Sequence, residues 1–268
     1  MPPPEKGLLL ATRVSTANPA IQIQPDSQGG GSPEAVTIPL ALGTDYWPTG
    51  DGQATSGRED LLALVDQGLD TNTDPGSETY TTTIDADGFV TITADTGNPF
   101  RLLWADAGTT IDPTLLGFTA VDSGHAASHT APDAVQGLWL PAAPMLSDTY
   151  DVPQVVGRVV HTSGGGSRGS QHTEAVYHRG IRWDLLPREV VRLAEAAADR
   201  PFGTLEWFWL NGAAAGHRFR VYDDWTSRTF SSYSVYRFRE TGIPYRRMRR
   251  DDVNLWEASF ALIRDSEA

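Results

Sequence analysis

Between Asp60 and Leu69 apolar residues recur at helical spacing: Leu61, Leu62, Leu64, Val65 and Leu69 share one side of a 3.6-residue period. The spacing predicts a helix over about 58–69. The period then shortens to two. Tyr80–Ile84 and Phe89–Thr93 flank Asp85-Ala86-Asp87-Gly88, and Gly88 supplies the positive φ of a tight turn. The stretch 80–93 therefore predicts a β-hairpin. Phe100–Trp104 and Leu115–Thr119 predict further strands. Upstream, Leu8-Leu9-Leu10 predicts an arm or an edge strand, and Val36–Leu40 a strand with Pro39 at its edge or end. Ser27–Ser32 and Asp122–Pro132 read as loops, and Tyr46-Trp47-Pro48 with Gly50-Asp51-Gly52 as an aromatic turn.

The second half has its own pattern. Gly137–Leu140 predicts a short strand, and Pro141–Pro153 a connection between two domains, 1–150 and 151–268. Gly157–Thr162 and Ala175–Trp183 predict strands around a Gly164–Gly169 loop. Pro187 suits a first helical position, and Val190, Val191, Ala194, Ala197 and Ala198 predict one apolar face of a helix over about 187–199, stopped by Pro201. Strands follow at Thr204–Leu210, Arg218–Tyr222, Tyr233–Arg239 and Leu255–Ile263. The expected fold is mainly β (α+β): two β-sandwich or barrel-like domains, each with one helix packed on its sheet.

Composition narrows the chemistry. The 268 residues include no cysteine, which excludes disulfide scaffolds, thiolate metal sites and cysteine nucleophiles. Hydrophobic residues make up 40%, enough for buried cores, yet no apolar run approaches the roughly 20 residues of a bilayer span. The first residues lack the pattern of a secretory signal, so a soluble protein without membrane contact is expected. Charge is split unevenly. Residues 1–150 hold 4 Lys and Arg against 19 Asp and Glu, a net of −15; residues 151–268 hold 17 against 15, a net of +2. The acidic half repels nucleic acid.

Five stretches carry candidate chemistry, and each also has a plainer reading. His125-Ala-Ala-Ser-His129 has a metal-ligand spacing, but it sits in a small-residue stretch without a carboxylate partner, so no metal is expected. Asp85–Gly88 shares two acids with a calcium loop and is better explained as the hairpin turn. Gly164–Ser170 is glycine-rich but lacks the Lys-Ser/Thr ending of a phosphate loop. Glu206, Trp207, Trp209, Asp223, Asp224 and Trp225 would suit sugar stacking and paired-carboxylate hydrolysis, if the tryptophans lie exposed beside the acids. Arg246-Arg247-Met248-Arg249-Arg250 is a basic run, expected in a loop and salt-bridged to an acidic neighbour such as another subunit's first half.

Residues 155–265 resemble the tail-tube-like domains of distal and minor tail proteins of tailed bacteriophages. Arg182-Trp183-Asp184-Leu185, the helix Arg188–Asp199, Pro201-Phe202-Gly203, the aromatic stretch Leu205–Leu210 and Trp256–Ile263 carry the likeness. Asp60–Leu69, Tyr80–Thr93, Leu102–Trp104 and Leu115–Thr119 resemble a module of phage virion proteins. The resemblance implies a non-enzymatic virion subunit without cofactor, made in the host bacterial cytoplasm. It implies self-association into a ring, expected as a hexamer, contacts with neighbouring tail or connector proteins, and DNA as non-adhering cargo in the lumen. Candidate inter-subunit contacts are Arg168, Arg246, Arg247, Arg249 and Arg250. A capsid decoration or adhesion protein, or a glycan-binding or hydrolysing module, is the alternative.

Overall fold

The computed structural model describes residues 6–25, 32–50, 59–72, 78–141, 145–155, 158–162, 168–172, 175–213, 217–226, 233–239, 244–248 and 255–265. In chain order, β1 (Gly7–Leu10) is followed by β2 (Ala20–Pro25) and β3 (Glu34–Thr37). The short β4 (Tyr46–Trp47) pairs in parallel with β5 (Glu59–Asp60), which leads into α1 (Leu61–Leu69). Next come β6 (Tyr80–Ile84), β7 (Phe89–Ala94), β8 (Phe100–Leu102), β9 (Ser128–Ala134) and β10 (Leu138–Trp139). The second half contributes β11 (Met145–Val155), β12 (Arg158–Thr162), β13 (Arg168–His172) and β14 (Ala175–Leu186). After the single turns α2 (Arg188–Val191) and α3 (Leu205–Phe208), it closes with β15 (Phe219–Tyr222), β16 (Tyr233–Phe238), β17 (Tyr245–Arg247) and β18 (Trp256–Arg264).

The protein is mainly β, built from antiparallel sheets. The largest sheet has the order β10-β1-β15-β16-β18-β14-β11, with β17 also on β18. Two three-stranded sheets, β3-β2-β8 and β6-β7-β9, belong to the first half.

The strand β1 is central rather than an arm or an edge. It pairs with β10 on one side and β15 on the other, and all four of its residues are buried. Alternation along a strand sends neighbours to opposite faces. Leu8 and Leu10 accordingly join a core with Trp139, Trp183, Phe208, Phe219 and Phe260, while Leu9 joins the other, larger core with α1 and the first-half sheets. Its partner β15 divides likewise: Phe219 and Val221 in the first of these cores, Tyr222 in the second. An uninterrupted apolar run is what a strand covered on both faces requires. First-half strands β1 and β10 thus lie in the sheet of the second half, and the boundary drawn at 150 falls within β11.

The helix α1 and the β6–β7 hairpin form where the pattern placed them. Asp60 caps α1 by accepting from Leu62 N at 3.0 Å, and Asp85 holds the hairpin turn by accepting from Asp87 N and Phe89 N.

Tyr46-Trp47, expected in a turn, is the short strand β4, and four longer stretches also differ from expectation. The helix expected over 187–199 is one turn, α2, followed by a 3₁₀ turn at Leu193–Glu195. Arg192 leaves helical geometry, and Leu193 N donates to the Glu206 carboxylate at 2.8 Å instead of an intrahelical carbonyl. Of the expected apolar face only Val191 is buried; Ala194, Ala197 and Ala198 are exposed. The strand expected over 204–210 is α3 and a π-turn at Trp209–Ala213. Thr204 caps it, and Leu205, Phe208 and Trp209 are buried at the i, i+3, i+4 positions of a helix. Leu115–Thr119 is no strand either: Pro113–Leu116 is a 3₁₀ turn capped by Asp112 and ended by Gly117 at φ 79°. The loop expected over 122–132 holds most of β9, which pairs with β7 through Thr91–Thr130 and Thr93–Ser128 hydroxyl contacts. Pro132 is accommodated where the register shifts between Phe89 and Thr91.

Candidate interaction surface

From Met145 on, the stretch expected as an inter-domain connection belongs to the long edge strand β11, paired only with β14 among the described residues. In this pairing Val155 opposes Ala175. Three residues on, Arg158 opposes His172, and the alignment continues unbroken to Thr162 opposite Arg168. The pairs β11–β14 and β12–β13 therefore keep one common register, as two stretches of a two-stranded ribbon. β14 pairs with β18 from His178 onward, so beyond that residue the ribbon has left the sheet. Residues 152–172 contain Arg158, Arg168, His161 and His172 and no acidic residue. Candidate Arg168 stands on β13, close to the ribbon's tip; the glycines Gly164–Gly166 lie outside the described residues.

The basic run is a strand, not a loop, in its described part. Arg246 and Arg247 belong to β17. Arg246 opposes Glu257 of β18 in register, and its Nε and Nη2 both donate to Glu257 Oε2, at 3.1 and 2.9 Å. Arg182 Nε approaches the other oxygen of Glu257 at 3.2 Å and also Asp184 at 3.2 Å. The acidic partner of Arg246 is thus on its own chain. Arg247 is exposed opposite Trp256. Arg249 and Arg250 lie outside the described residues. The structure brings Arg246 and Arg247 together and holds Arg168 on a different element.

Pairing of second-half arginines with first-half acids does occur, within one chain. Arg218 Nε meets Asp45 Oδ2 at 2.5 Å, and Arg13 Nε meets Oδ1 of the same carboxylate at 2.5 Å. Burial pushes the Asp45 carboxyl up, but the two guanidinium groups outweigh it and hold it below its usual value. Arg200 Nη2 contacts Asp87 at 2.6 Å, and Trp225 Nε1 donates to Ala86 O at 2.9 Å, so the hairpin turn is clasped from the second half. In the reverse sense, Lys6 and Arg179 both donate to Asp223 Oδ1 at 2.7 Å and, against the effect of burial, keep that carboxyl low. Sequence reasoning did not single out Asp45, Arg13 or Arg218. No local spacing marks three residues joined only by folding.

The other candidates resolve into structure. His129 is buried and sits edge-on to Phe100 at 4.6 Å. Burial lowers its pKa, so the neutral ring donates from Nε2 to Phe100 O at 2.9 Å; His125 is exposed. Among the described residues no three acidic or histidine side chains cluster as metal ligands. Of the tryptophans proposed for a glycan groove, Trp209 and Trp225 are buried, and Trp207 is half-buried against Phe202. Glu206 accepts from Tyr245 Oη at 3.0 Å and Arg192 Nε at 3.1 Å, and burial together with this carboxylate pushes Tyr245 up to about 12.

No protein-family model matches this chain, and no curated protein aligns with it. Among the described residues no helix is long and apolar enough to cross a membrane.

Proposed function

We propose that the protein is a structural subunit of a tailed-bacteriophage virion: a tail, distal-tail or tail-tip component that assembles into a ring around the DNA channel and carries out no catalysis. In this reading residues 151–268 form a tail-tube-like β domain whose sheet is completed by β1 and β10. The rest of the first half is a second, acidic β-rich domain.

The observation that carries the proposal is the ribbon of β11–β14 and β12–β13. Among the described residues β12 and β13 pair only with each other, and an isolated two-stranded ribbon is at best marginally stable in water. Docking on an adjoining copy stabilises it. A tip with arginines and no acids suits a neighbour whose first half has a net charge of −15, and like copies closing head to tail give a ring. The same acidic surface, facing a lumen, lets DNA pass without adhering. Neighbouring tail or connector proteins would stack above and below, within a particle assembled in the bacterial cytoplasm.

Light scattering coupled to size-exclusion chromatography, followed by electron microscopy of the full chain, tests this. Closed rings, with six-fold symmetry the expectation, support it. A monomer at every concentration, or a location in the particle away from the tail, overturns it.

A further inference from the structure

We propose that the cleft beside Trp207 binds one ring of a neutral sugar. It lies where the two halves meet. The chain just past β1 forms its floor, the 3₁₀ turn at Leu115 one wall, and Trp207, Asn211 and His217 of the second half the other. Its volume is about 230 Å³, the size of a single sugar ring rather than of a nucleotide or peptide.

The lining has the chemistry of sugar recognition. Trp207 is packed on one edge by Phe202 and remains half-exposed, so an apolar aromatic surface borders the cleft. Sugar rings carry C–H groups on their faces that suit an indole surface, and hydroxyls on their rims that need donors and acceptors together. Gln136 and His217 are half-buried at the cleft, and their side chains hydrogen-bond to no described residue. Asn211 donates its amide to Trp207 O at 3.0 Å and keeps Oδ1 as an acceptor.

Charge favours a neutral ligand. Arg13 at the rim is already bound to Asp45, and Asp112 lines the adjoining hollow of about 100 Å³, which shares Arg13 and Leu115 with the cleft. Neither a phosphate nor a carboxylate meets a free cationic cluster there. Gln136 and His217 have no side-chain hydrogen bond among the described residues, and exposed Asn211 keeps its acceptor beside the same aromatic group. That is why the inference goes to a ligand and not to packing.

The test is saturation-transfer NMR and calorimetry on the full chain with D-glucose, D-galactose, D-mannose and N-acetyl-D-glucosamine, with glucuronate and adenosine as controls. Saturable binding of at least one neutral sugar is expected, at least tenfold weaker in both Trp207→Ala and Gln136→Ala. Gln136→Ala serves if the tryptophan variant folds poorly. No binding of any neutral sugar, preference for glucuronate or adenosine, or unchanged affinity in Gln136→Ala overturns the proposal. Ring assembly is read separately by light scattering, so loss of the sugar site leaves the virion reading standing.

Discussion

Arg218 and Asp45 are 173 positions apart in sequence, yet the guanidinium Nε of one lies 2.5 Å from a carboxylate oxygen of the other. Arg13 takes the second oxygen of the same side chain, which is 1% exposed. One buried acid therefore fastens the segment after β1, the turn before β4 and the start of β15.

Asp45→Asn is expected to destabilise the fold by about 3 kcal/mol, because it strands two guanidinium groups beside a neutral partner. The carboxyl's folded pKa lies below its reference value of 3.8. Its contribution is therefore complete above that value and is lost as pH falls through the folded pKa. Urea titrations at neutral and acid pH should show Asp45→Asn removing most of this acid-sensitive component.

Asp66 on α1 has the opposite sign. Burial, with the nearby charges of Asp70 and Asp60 adding and Thr82 opposing, pushes its carboxyl up to about 6. The folded state then holds this proton more tightly than the unfolded chain. Stability falls as pH rises from about 4 to about 6 and is level beyond. Asp66→Asn is expected to raise stability by about 1–2 kcal/mol at pH 7 and to flatten this limb in thermal melts.

Gly117 ends the 3₁₀ turn at φ 79°, and a Cβ there would lie 2.1 Å from Asp133 O. Gly117→Ala combines a left-handed backbone with a clash against main chain that cannot move aside. A loss of about 2 kcal/mol or more is expected in chemical denaturation.

Reversing the charge of the ribbon with Arg158→Glu and Arg168→Glu is expected to weaken self-association at low salt and to leave the monomer's circular dichroism unchanged. Added salt should weaken the unmodified assembly toward the variant. Sedimentation velocity reads both.

Local chemistry sufficed for some elements. The 3.6-residue period of 61–69 with Asp60 before it, and the alternation of 80–93 about Asp85–Gly88, determine α1 and the β6–β7 hairpin because cap, turn and apolar face all lie within a few residues. Leu8-Leu9-Leu10 announced a strand but not its place: only β10 and β15, contributed from far along the chain, make it central and buried on both faces. The alanines at 194–198 mimicked a helix face, yet no core reaches them, and Glu206 takes the Leu193 N–H. Leu205, Phe208 and Trp209 mark a helix, but they stand in an aromatic stretch that also suits a strand. Which period wins depends on the core they share, where Phe208 meets Phe219 and Trp209 meets Phe238. The shared carboxylate of Asp45 and the cleft at Trp207 each join segments distant in sequence. Such contacts form when sheets stack, and no spacing along the chain encodes them.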